Sequence, residues 1–329
     1  MDLDLSLYAA AFGGLILLAL SSESLIRGGL SFAERFGLSP LLAGIFIIGF
    51  GTSLPELSIS LGAAIEGRAG MAIGNLVGSN IANIWLVMAS VAFVFTLQPG
   101  HFGQRRSMIA LLFGTAAWIA LSATGQFNVW AGIALIVTFL VFTVTITVQT
   151  HSAHDAGRDV GFVDEASTHL PLLQTFALTL CGLVGLPLSA ALIIDGGIGI
   201  AREFEVSEEY IGLTLFAIGT SLPELGVSFV AAFRRQGDIV IGNVLGSNLF
   251  NLLGIGGLIA LFAGLEFAPV FANYDHWVLG LATLTLALFI LPRAKVTRLA
   301  ALALLLSYAV YLYGLINGWN ILAQVKAIL

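Results

Sequence analysis

One polar block occurs twice in this chain, each time inside segments that are otherwise apolar. Residues 51–57 (GTSLPEL) recur as residues 219–225, and the GNxxGSNxxN pattern of residues 74–83 recurs at 242–251. The offset is 168 residues without a gap, and 17 of the 33 aligned positions from 51 to 83 are identical. A duplicated pair of interrupted hydrophobic segments is a sequence indicator of a transporter binding site. The duplication therefore constrains the fold to two related halves.

Composition places these halves in a membrane. The chain is 58% hydrophobic and 10% charged, whereas a soluble domain carries about 25% charged residues. Its apolar residues lie in runs of about 20, the length that crosses a bilayer core. We therefore expect an all-α polytopic membrane protein surrounded by lipid. No basic tract suggests a nucleic-acid partner, and the single cysteine, Cys181, excludes disulfides and Cys-based metal sites.

Hydropathy and turn signals divide the chain into ten predicted spans. They cover residues 5–26, 39–65, 70–97, 107–124, 128–149, 170–194, 208–233, 239–263, 270–291 and 299–317. A polar linker at 151–169 separates a first repeat at 1–150 from a second repeat at 170–329. Because each repeat has five spans, the second copy enters the membrane from the opposite side and the repeats are inverted.

Basic residues predict the orientation of these spans. With the N-terminus outside, ten of the thirteen Lys and Arg residues fall in inside loops, as the positive-inside rule favours. We therefore expect a multi-pass protein of the cell (inner) membrane with both termini extracellular or periplasmic and a cytoplasmic linker. We also expect it to function as a monomer. The five histidines fall in predicted loops or at span ends and are expected to be solvated.

The first block of each repeat carries an interrupted helix and a carboxylate. Pro55 and Pro223 each remove a backbone hydrogen bond, and backbone opened at membrane depth is tolerated only where it is buried in protein or lines a wet cavity. The opened carbonyls, the carboxylates of Glu56 and Glu224 and the neighbouring hydroxyls are all hard oxygen donors. The hydroxyls belong to Thr52, Ser53, Thr220 and Ser221. Such a set suits Ca²⁺ or Na⁺ and lacks the nitrogen and sulfur ligands of Zn²⁺ or Cu⁺.

The second block adds neutral oxygens and close helix packing. Ser79 and Asn83 share a helix face at i and i+4. Glycines four residues apart let helices pack backbone to backbone; they are Gly74, Gly78, Gly242 and Gly246. This packing would bring both blocks together around one cavity. The two glutamates there carry two negative charges. One Ca²⁺ neutralises both, whereas more than one Na⁺ is needed to do so.

Other interpretations of the block remain open. A Thr-Ser-x-Pro sequence in a transmembrane helix can be only a kink, and Asn80 and Asn248 can simply bond between helices. An intramembrane hydrolase could use Ser53 or Ser221, but it would need a general base or a metal, and no histidine falls within a core span. A cation channel usually relies on rings of ligands around an axis. The duplicated pair of acidic blocks favours a carrier.

The duplicated Gly-Thr-Ser-Leu-Pro-Glu followed by Gly-Ser-Asn resembles the cation/calcium antiporter superfamily, in particular its prokaryotic sodium/calcium exchanger family. The resemblance covers the whole chain. It implies the sodium/calcium exchanger fold, in which spans two, three, seven and eight form a rigid core and spans one and six slide against it. It also implies a non-enzymatic antiporter that exports Ca²⁺ in exchange for Na⁺ by alternating access, without a cofactor beyond these transported ions. Coupling to protons or another cation is the alternative.

The same resemblance implies roles for individual residues. Glu56 and Glu224 would coordinate Ca²⁺ and also Na⁺, and Thr52 and Thr220 would give backbone carbonyls to the Ca²⁺ site. The Na⁺ sites would be completed by side chains or carbonyls of Ser53, Ser221, Ser79, Ser247, Gly49 and Ala217. Asn83 would lie at the centre.

Asn251 departs from part of the family. Some members, including potassium-dependent ones, carry Asp at this position. The symmetric pair Asn83 and Asn251 leaves two acidic groups in the predicted core. That argues against potassium co-transport and lowers the number of groups that can carry protons.

Overall fold

The protein consists almost entirely of helices, as the computed structural model describes for residues 4–100, 103–155, 170–205, 219–267 and 269–321. In chain order the helices are α1 (Leu5–Arg35), α2 (Pro40–Thr52), α3 (Leu54–Ile65), α4 (Ala69–Phe95), α5 (Gln104–Ser122), α6 (Val129–Asp155), α7 (Leu172–Glu203), α8 (Leu222–Phe233), α9 (Gly237–Phe262), α10 (Pro269–Asn273), α11 (Asp275–Ile290) and α12 (Arg298–Ile316). Wider π-helical turns interrupt α2, α4 and α9; they cover Gly44–Ile48, Asn83–Met88 and Phe250–Ile255. Two short strands, β1 (Gln126–Phe127) and β2 (Leu265–Glu266), pair antiparallel; β1 follows α5 and β2 follows α9.

These helices confirm the predicted polytopic class. Six described helices are long and apolar enough to cross a membrane, and α2 with α3 forms one further span bent by 45°. Each of the ten predicted spans coincides with a described helix or helix pair. The seventh, 208–233, is described only from Gly219 onward, and the linker only as far as Asp155, where α6 ends.

Helices α1 and α7 are longer than predicted because they pack along one another beyond their apolar runs. The buried hydroxyls of Ser31 and Thr175 lie 2.8 Å apart, joining the end of α1 to the start of α7. At the other end, Tyr8 donates to the carboxylate of Glu203 at 3.1 Å. The N-terminus of α1 is capped by Asp4, and hydrogen bonds from the Ser6 hydroxyl and backbone N–H hold the pKa of that carboxyl below its ordinary value. The two helices therefore form one antiparallel pair.

The sequence duplication is also a structural duplication. Helices α3 and α8 begin and end at positions that are 168 residues apart, and α4 and α9 begin at the same offset. The π-helical turns of α4 and α9 fall within one residue of this alignment. The equivalent of α2 would lie at 208–220, mostly outside the described residues.

Glycines bring α2 and α9 into backbone contact. A Cβ at Gly246 would lie 2.5 Å from the carbonyl oxygen of Ile45, and one at Gly242 would lie 2.7 Å from that of Leu41. Only glycine fits such an approach without a backbone shift. The predicted role of these two glycines is therefore confirmed. The contact joins the second block of the second repeat to the first repeat.

The prediction that the histidines are solvated is wrong for His276. Its side chain is 5% exposed, and its Nδ1 lies 3.2 Å from the hydroxyl of Ser122. Rings of Phe267 and Phe271 pack beside it, with centroids 5.8 and 6.4 Å away. The start of α11, where His276 lies, is covered by the short helix α10 and the loop before it. Hydropathy does not reveal this cover.

Candidate ion-binding site

A break in each repeat places a glutamate at a helix N-terminus. Helix α2 ends at Thr52, Ser53 leaves the helical conformation (φ −87°, ψ 8°), and α3 begins at Leu54. Pro55 is the second residue of α3, a position where its missing N–H leaves no helical bond unmade. Glu56 therefore lies in the first turn, where the helix dipole favours a negative charge.

The second repeat repeats this local geometry. Ser221 has φ −90° and ψ 5°, and α8 begins at Leu222 with Glu224 in its first turn. The prediction that the prolines mark interrupted helices is confirmed. The interruption falls two residues before each proline, because proline lacks the N–H that would continue the preceding helix but fits the first turn of a new one.

Both carboxylates are fully buried and poorly paired. In the described part of the structure, neither oxygen of Glu56 has a hydrogen-bond partner. Glu224 accepts one bond through Oε1 from the Ser53 hydroxyl at 3.3 Å, and its Oε2 has no partner among the described residues. Burying a carboxylate without compensation is strongly unfavourable. Two such groups fit a site that is neutralised by bound cations.

Hydroxyls from one repeat contact the other repeat beside these acids. Ser247 donates to the carbonyl of Gly49 at 3.1 Å and lies 3.3 Å from the hydroxyl of Thr52. Ser79 lies 3.5 Å from the hydroxyl of Thr220. The structure thus brings predicted site residues together across the repeats in three groups: Gly49, Thr52 and Ser247; Ser53 and Glu224; Ser79 and Thr220.

The remaining predicted residues are buried with unpaired polar atoms. Asn83 and Asn251 are both 0% exposed, and neither amide group has a partner in the described residues. The Ser221 hydroxyl is also buried and without a partner there. Asn83 and Asn251 lie in the π-helical turns of α4 and α9, a distortion that is frequent at functional sites. Ala217 lies outside the described residues.

The donor set fits a hard cation. Carboxylate, hydroxyl, amide and carbonyl oxygens are the ligands that Ca²⁺ takes in proteins. Among the described residues, no three His, Cys, Asp or Glu side chains converge as a metal-holding group. The buried carboxylate, amide and hydroxyl oxygens without described partners are compatible with such a cation.

Sequence reasoning did not assign a role to Asn75 and Asn243. Asn243 donates to the backbone carbonyl of Glu224 at 3.3 Å and to the hydroxyl of Ser228 at 3.0 Å. Asn75 makes the equivalent bonds to Glu56 at 3.4 Å and Ser60 at 2.8 Å. Their identity in both copies of the block was the available signal, but the pattern alone does not reveal the partners.

Fold and site together define a multi-pass membrane protein in which two inverted repeats meet at a buried, oxygen-lined cluster, the architecture of a secondary transporter. The chain belongs to the sodium/calcium exchanger protein family, whose family model matches residues 6–148 and 174–317. It is therefore an antiporter of the exchanger type.

Individual relatives agree with this assignment. The chain is 32% identical over 309 residues to the putative antiporter CaxA of Alkalimonas amylolytica, covering 93% of this chain and 97% of the relative. It is 30% identical over 279 residues to the inner membrane protein YrbG of Escherichia coli (strain K12), covering 84% and 86%. The solved structure of the sodium-calcium exchanger NCX_Mj, soaked with zero Na⁺ and Ca²⁺, superposes with a TM-score of 0.79 at 29% identity, covering 95% of this chain and all of that one. The ten-helix fold with two inverted repeats is thereby confirmed.

Proposed function

We propose that the protein exports Ca²⁺ in exchange for Na⁺ by alternating access at one site formed by both repeats. The observation that carries this proposal is the pair of buried glutamates, one from each repeat, whose oxygens are mostly unpaired. One Ca²⁺ neutralises both charges, whereas several Na⁺ are needed, so the two ions compete for the same acids. The similarity to a sodium-calcium exchanger structure supports this choice of ions.

In this proposal the predicted ligands keep the roles that the resemblance implies. Glu56 and Glu224 coordinate Ca²⁺ and Na⁺, with backbone carbonyls from Thr52 and Thr220. The Na⁺ sites use Ser53, Ser221, Ser79, Ser247, Gly49 and Ala217, and Asn83 and Asn251 lie at the centre. The buried positions of the described members other than Thr220, which is partly buried, support this arrangement.

Exchange requires a moving part, which we assign to the α1–α7 pair. A glycine of the motif and one directly after it face this pair: a Cβ at Gly51 would lie 2.6 Å from the Leu183 side chain of α7, and one at Gly226 would lie 2.7 Å from Leu18 of α1. Sliding of α1 and α7 over these smooth surfaces would open the glutamates alternately to either side. The protein with bound ions would change the side to which its site opens, whereas the empty protein, with two unneutralised charges, would not.

The remaining parts of the proposal concern placement. The charge distribution of the loops supports both termini outside and a cytoplasmic linker at 151–169 between the repeats. The name of the relative YrbG supports an inner membrane. We further propose that a single chain is the functional unit, because the site takes its predicted ligands from both repeats of one chain.

Proton coupling is the second candidate, because protons can also neutralise two buried carboxylates. Asn251 disfavours it and disfavours potassium coupling, since its amide adds no third acid to the cluster. An Asn251→Asp variant supplies that acid. We expect it to make Ca²⁺ flux depend on pH or K⁺, whereas identical flux across pH and K⁺ would contradict this interpretation of Asn251.

Reconstituted transport tests the proposal directly. Proteoliposomes are given a Na⁺, a pH or a K⁺ gradient one at a time, and uptake of radiolabelled Ca²⁺ is measured. We expect uptake with the Na⁺ gradient alone and an electrogenic response. Uptake driven by the pH gradient alone would replace Na⁺ coupling with the second candidate. Liposomes without protein provide the background.

A further inference from the structure

One asparagine in each repeat holds the backbone of the helix turn that carries the glutamate. Asn243 and Asn75 stand 168 residues apart, and each donates its Nδ2 to the backbone carbonyl of its repeat's glutamate and to a serine one turn further along the same helix. The serines, Ser228 and Ser60, are fully buried. Because the same pair of bonds occurs in both inverted copies, it indicates a specific role at the site rather than incidental packing.

Asn243 has a third bond, and this one crosses the repeat interface. Its Oδ1 accepts from the hydroxyl of Thr52 at 3.2 Å. Asn243 is 0% exposed, and all of its polar atoms are engaged. It therefore joins α8, which carries Glu224, to the end of α2, which carries Thr52. No equivalent bond from Asn75 to Thr220 occurs among the described residues.

We propose that Asn243 and Asn75 are positioning residues for the ion site, and that Asn243 couples the placement of Glu224 to Thr52 of the other repeat. This inference rests on the proposed binding of Ca²⁺ at these glutamates. Groups that hold ion ligands in place typically change ion affinity by 10- to 100-fold when they are removed. Asn243 holds the first turn of α8, which carries Glu224, against α9 and beside the end of α2, which carries Thr52.

A double-mutant cycle tests the coupling. Asn243→Ala, Thr52→Val and the double variant are compared for Ca²⁺ affinity, measured as Ca²⁺-dependent thermal stabilisation of the full chain in detergent. Valine keeps the Thr52 carbonyl and removes only the hydroxyl. We expect each single change to weaken the affinity, Asn243→Ala by about tenfold or more, and the double variant to be little weaker than Asn243→Ala alone, because the bond between Asn243 and Thr52 is already lost in that variant.

Asn75→Ala combined with Thr52→Val is the matched control, since Asn75 makes no bond to Thr52 in the described structure. The effects of this pair should multiply. Should Asn243→Ala fail to fold, Ser228→Ala removes one acceptor of the same amide, and a smaller affinity loss is expected. A purely structural asparagine would lower the unfolding temperature without ions and leave the affinity unchanged, which would overturn the proposal.

The outcomes separate this inference from the proposed function. A wild-type protein that moves no Ca²⁺ overturns the proposed function and this inference with it. A wild-type protein that exchanges Na⁺ for Ca²⁺, but shows multiplying effects for Asn243 and Thr52, overturns only the coupling.

Discussion

The two copies of the block have the same residues but different hydrogen bonds. The Glu224 half-site comprises Glu224, Ser53, Thr52 and Ser247. The Glu56 half-site comprises Glu56, Ser221, Thr220 and Ser79. In the first, Ser53 donates to Glu224, and the hydroxyls of Thr52 and Ser247 lie 3.3 Å apart. In the second, Glu56 accepts no bond from a described residue, and the hydroxyls of Ser79 and Thr220 lie 3.5 Å apart.

The local backbone is nearly the same at Ser53 and Ser221, so the difference lies in how the side chains and the facing helices are placed. The comparison indicates that the two repeats occupy unequal conformations around one site. Inverted repeats are expected to do so in a carrier that works by alternating access, with the two conformations exchanged when the site faces the other side. Four pairs of substitutions test whether the two repeats differ in this way.

The largest expected effect is the loss of either acid. Glu56→Gln and Glu224→Gln keep the shape and one oxygen acceptor but remove a charge that the bound cation needs. We expect each to weaken Ca²⁺ binding by more than about 100-fold, or about 2.8 kcal/mol, and to abolish exchange. Radiolabelled Ca²⁺ flux and Ca²⁺-dependent thermal stabilisation measure this. Glu66→Gln, on an exposed side chain, is the control; normal flux in either buried-site variant would end the proposal of a shared site.

The next effect concerns the backbone contact between α2 and α9. In Gly242→Ala the new Cβ would lie 2.7 Å from the carbonyl of Leu41, which cannot rotate away. Overpacking of this kind costs about 1–3 kcal/mol, so we expect a lower unfolding temperature in detergent. The repeat counterpart is Gly74→Ala, where the closest described atom belongs to the Phe271 ring at 3.8 Å. Equal destabilisation by both variants would show that the repeats pack alike.

A third pair of variants separates the two serines. Ser53→Ala leaves the buried Glu224 without its hydroxyl donor, and an unsatisfied buried group costs about 1–3 kcal/mol. Ser221→Ala removes a buried hydroxyl that has no described partner, so a neutral or slightly stabilising result is expected. Denaturant unfolding in buffer free of Na⁺ and Ca²⁺ measures both. If Ser221→Ala destabilises as much as Ser53→Ala, the half-sites are not different in the ion-free protein.

Sequence alone predicted the features that depend on local chemistry. Pro55 and Pro223 marked the breaks, and the apolar runs marked the spans, because proline geometry and bilayer thickness act on short segments. The duplication predicted that the two blocks meet around one site. The unequal hydrogen bonding of Ser53 and Ser221 could not be predicted, since the two copies have the same sequence around them.

Long-range packing was also beyond the pattern. The π-helical turns that hold Asn83 and Asn251 have no propensity signal, because they arise where two helices are fitted together. The burial of His276 depends on the short helix α10 and the phenylalanine rings beside it, which pack over the start of α11. The third bond of Asn243 joins residues 191 positions apart. Each of these features is fixed by contacts between elements rather than within one.

The smallest effect is expected at the edge of the α1–α7 pair. Arg234 at the end of α8 pairs with Glu23 of α1, whereas its repeat counterpart, Glu66, pairs with the neighbouring Arg68. The first ion pair links a core helix to α1; the second links two residues of one loop. Partly exposed pairs contribute about 0.2–1 kcal/mol, so the first one stabilises this conformation only slightly.

Removing that link should therefore ease departure from this conformation. We expect Arg234→Gln to raise the rate of Na⁺-driven Ca²⁺ exchange about twofold, a change of about 0.4 kcal/mol, and the charge reversal Glu23→Arg with Arg234→Glu to restore the wild-type rate. Arg68→Gln should leave the rate unchanged, because its ion pair does not touch α1. A slower rate in Arg234→Gln, or an equal change in Arg68→Gln, would contradict a movement of α1 relative to α8 during exchange. The difference between the two half-sites could then not be attributed to that movement.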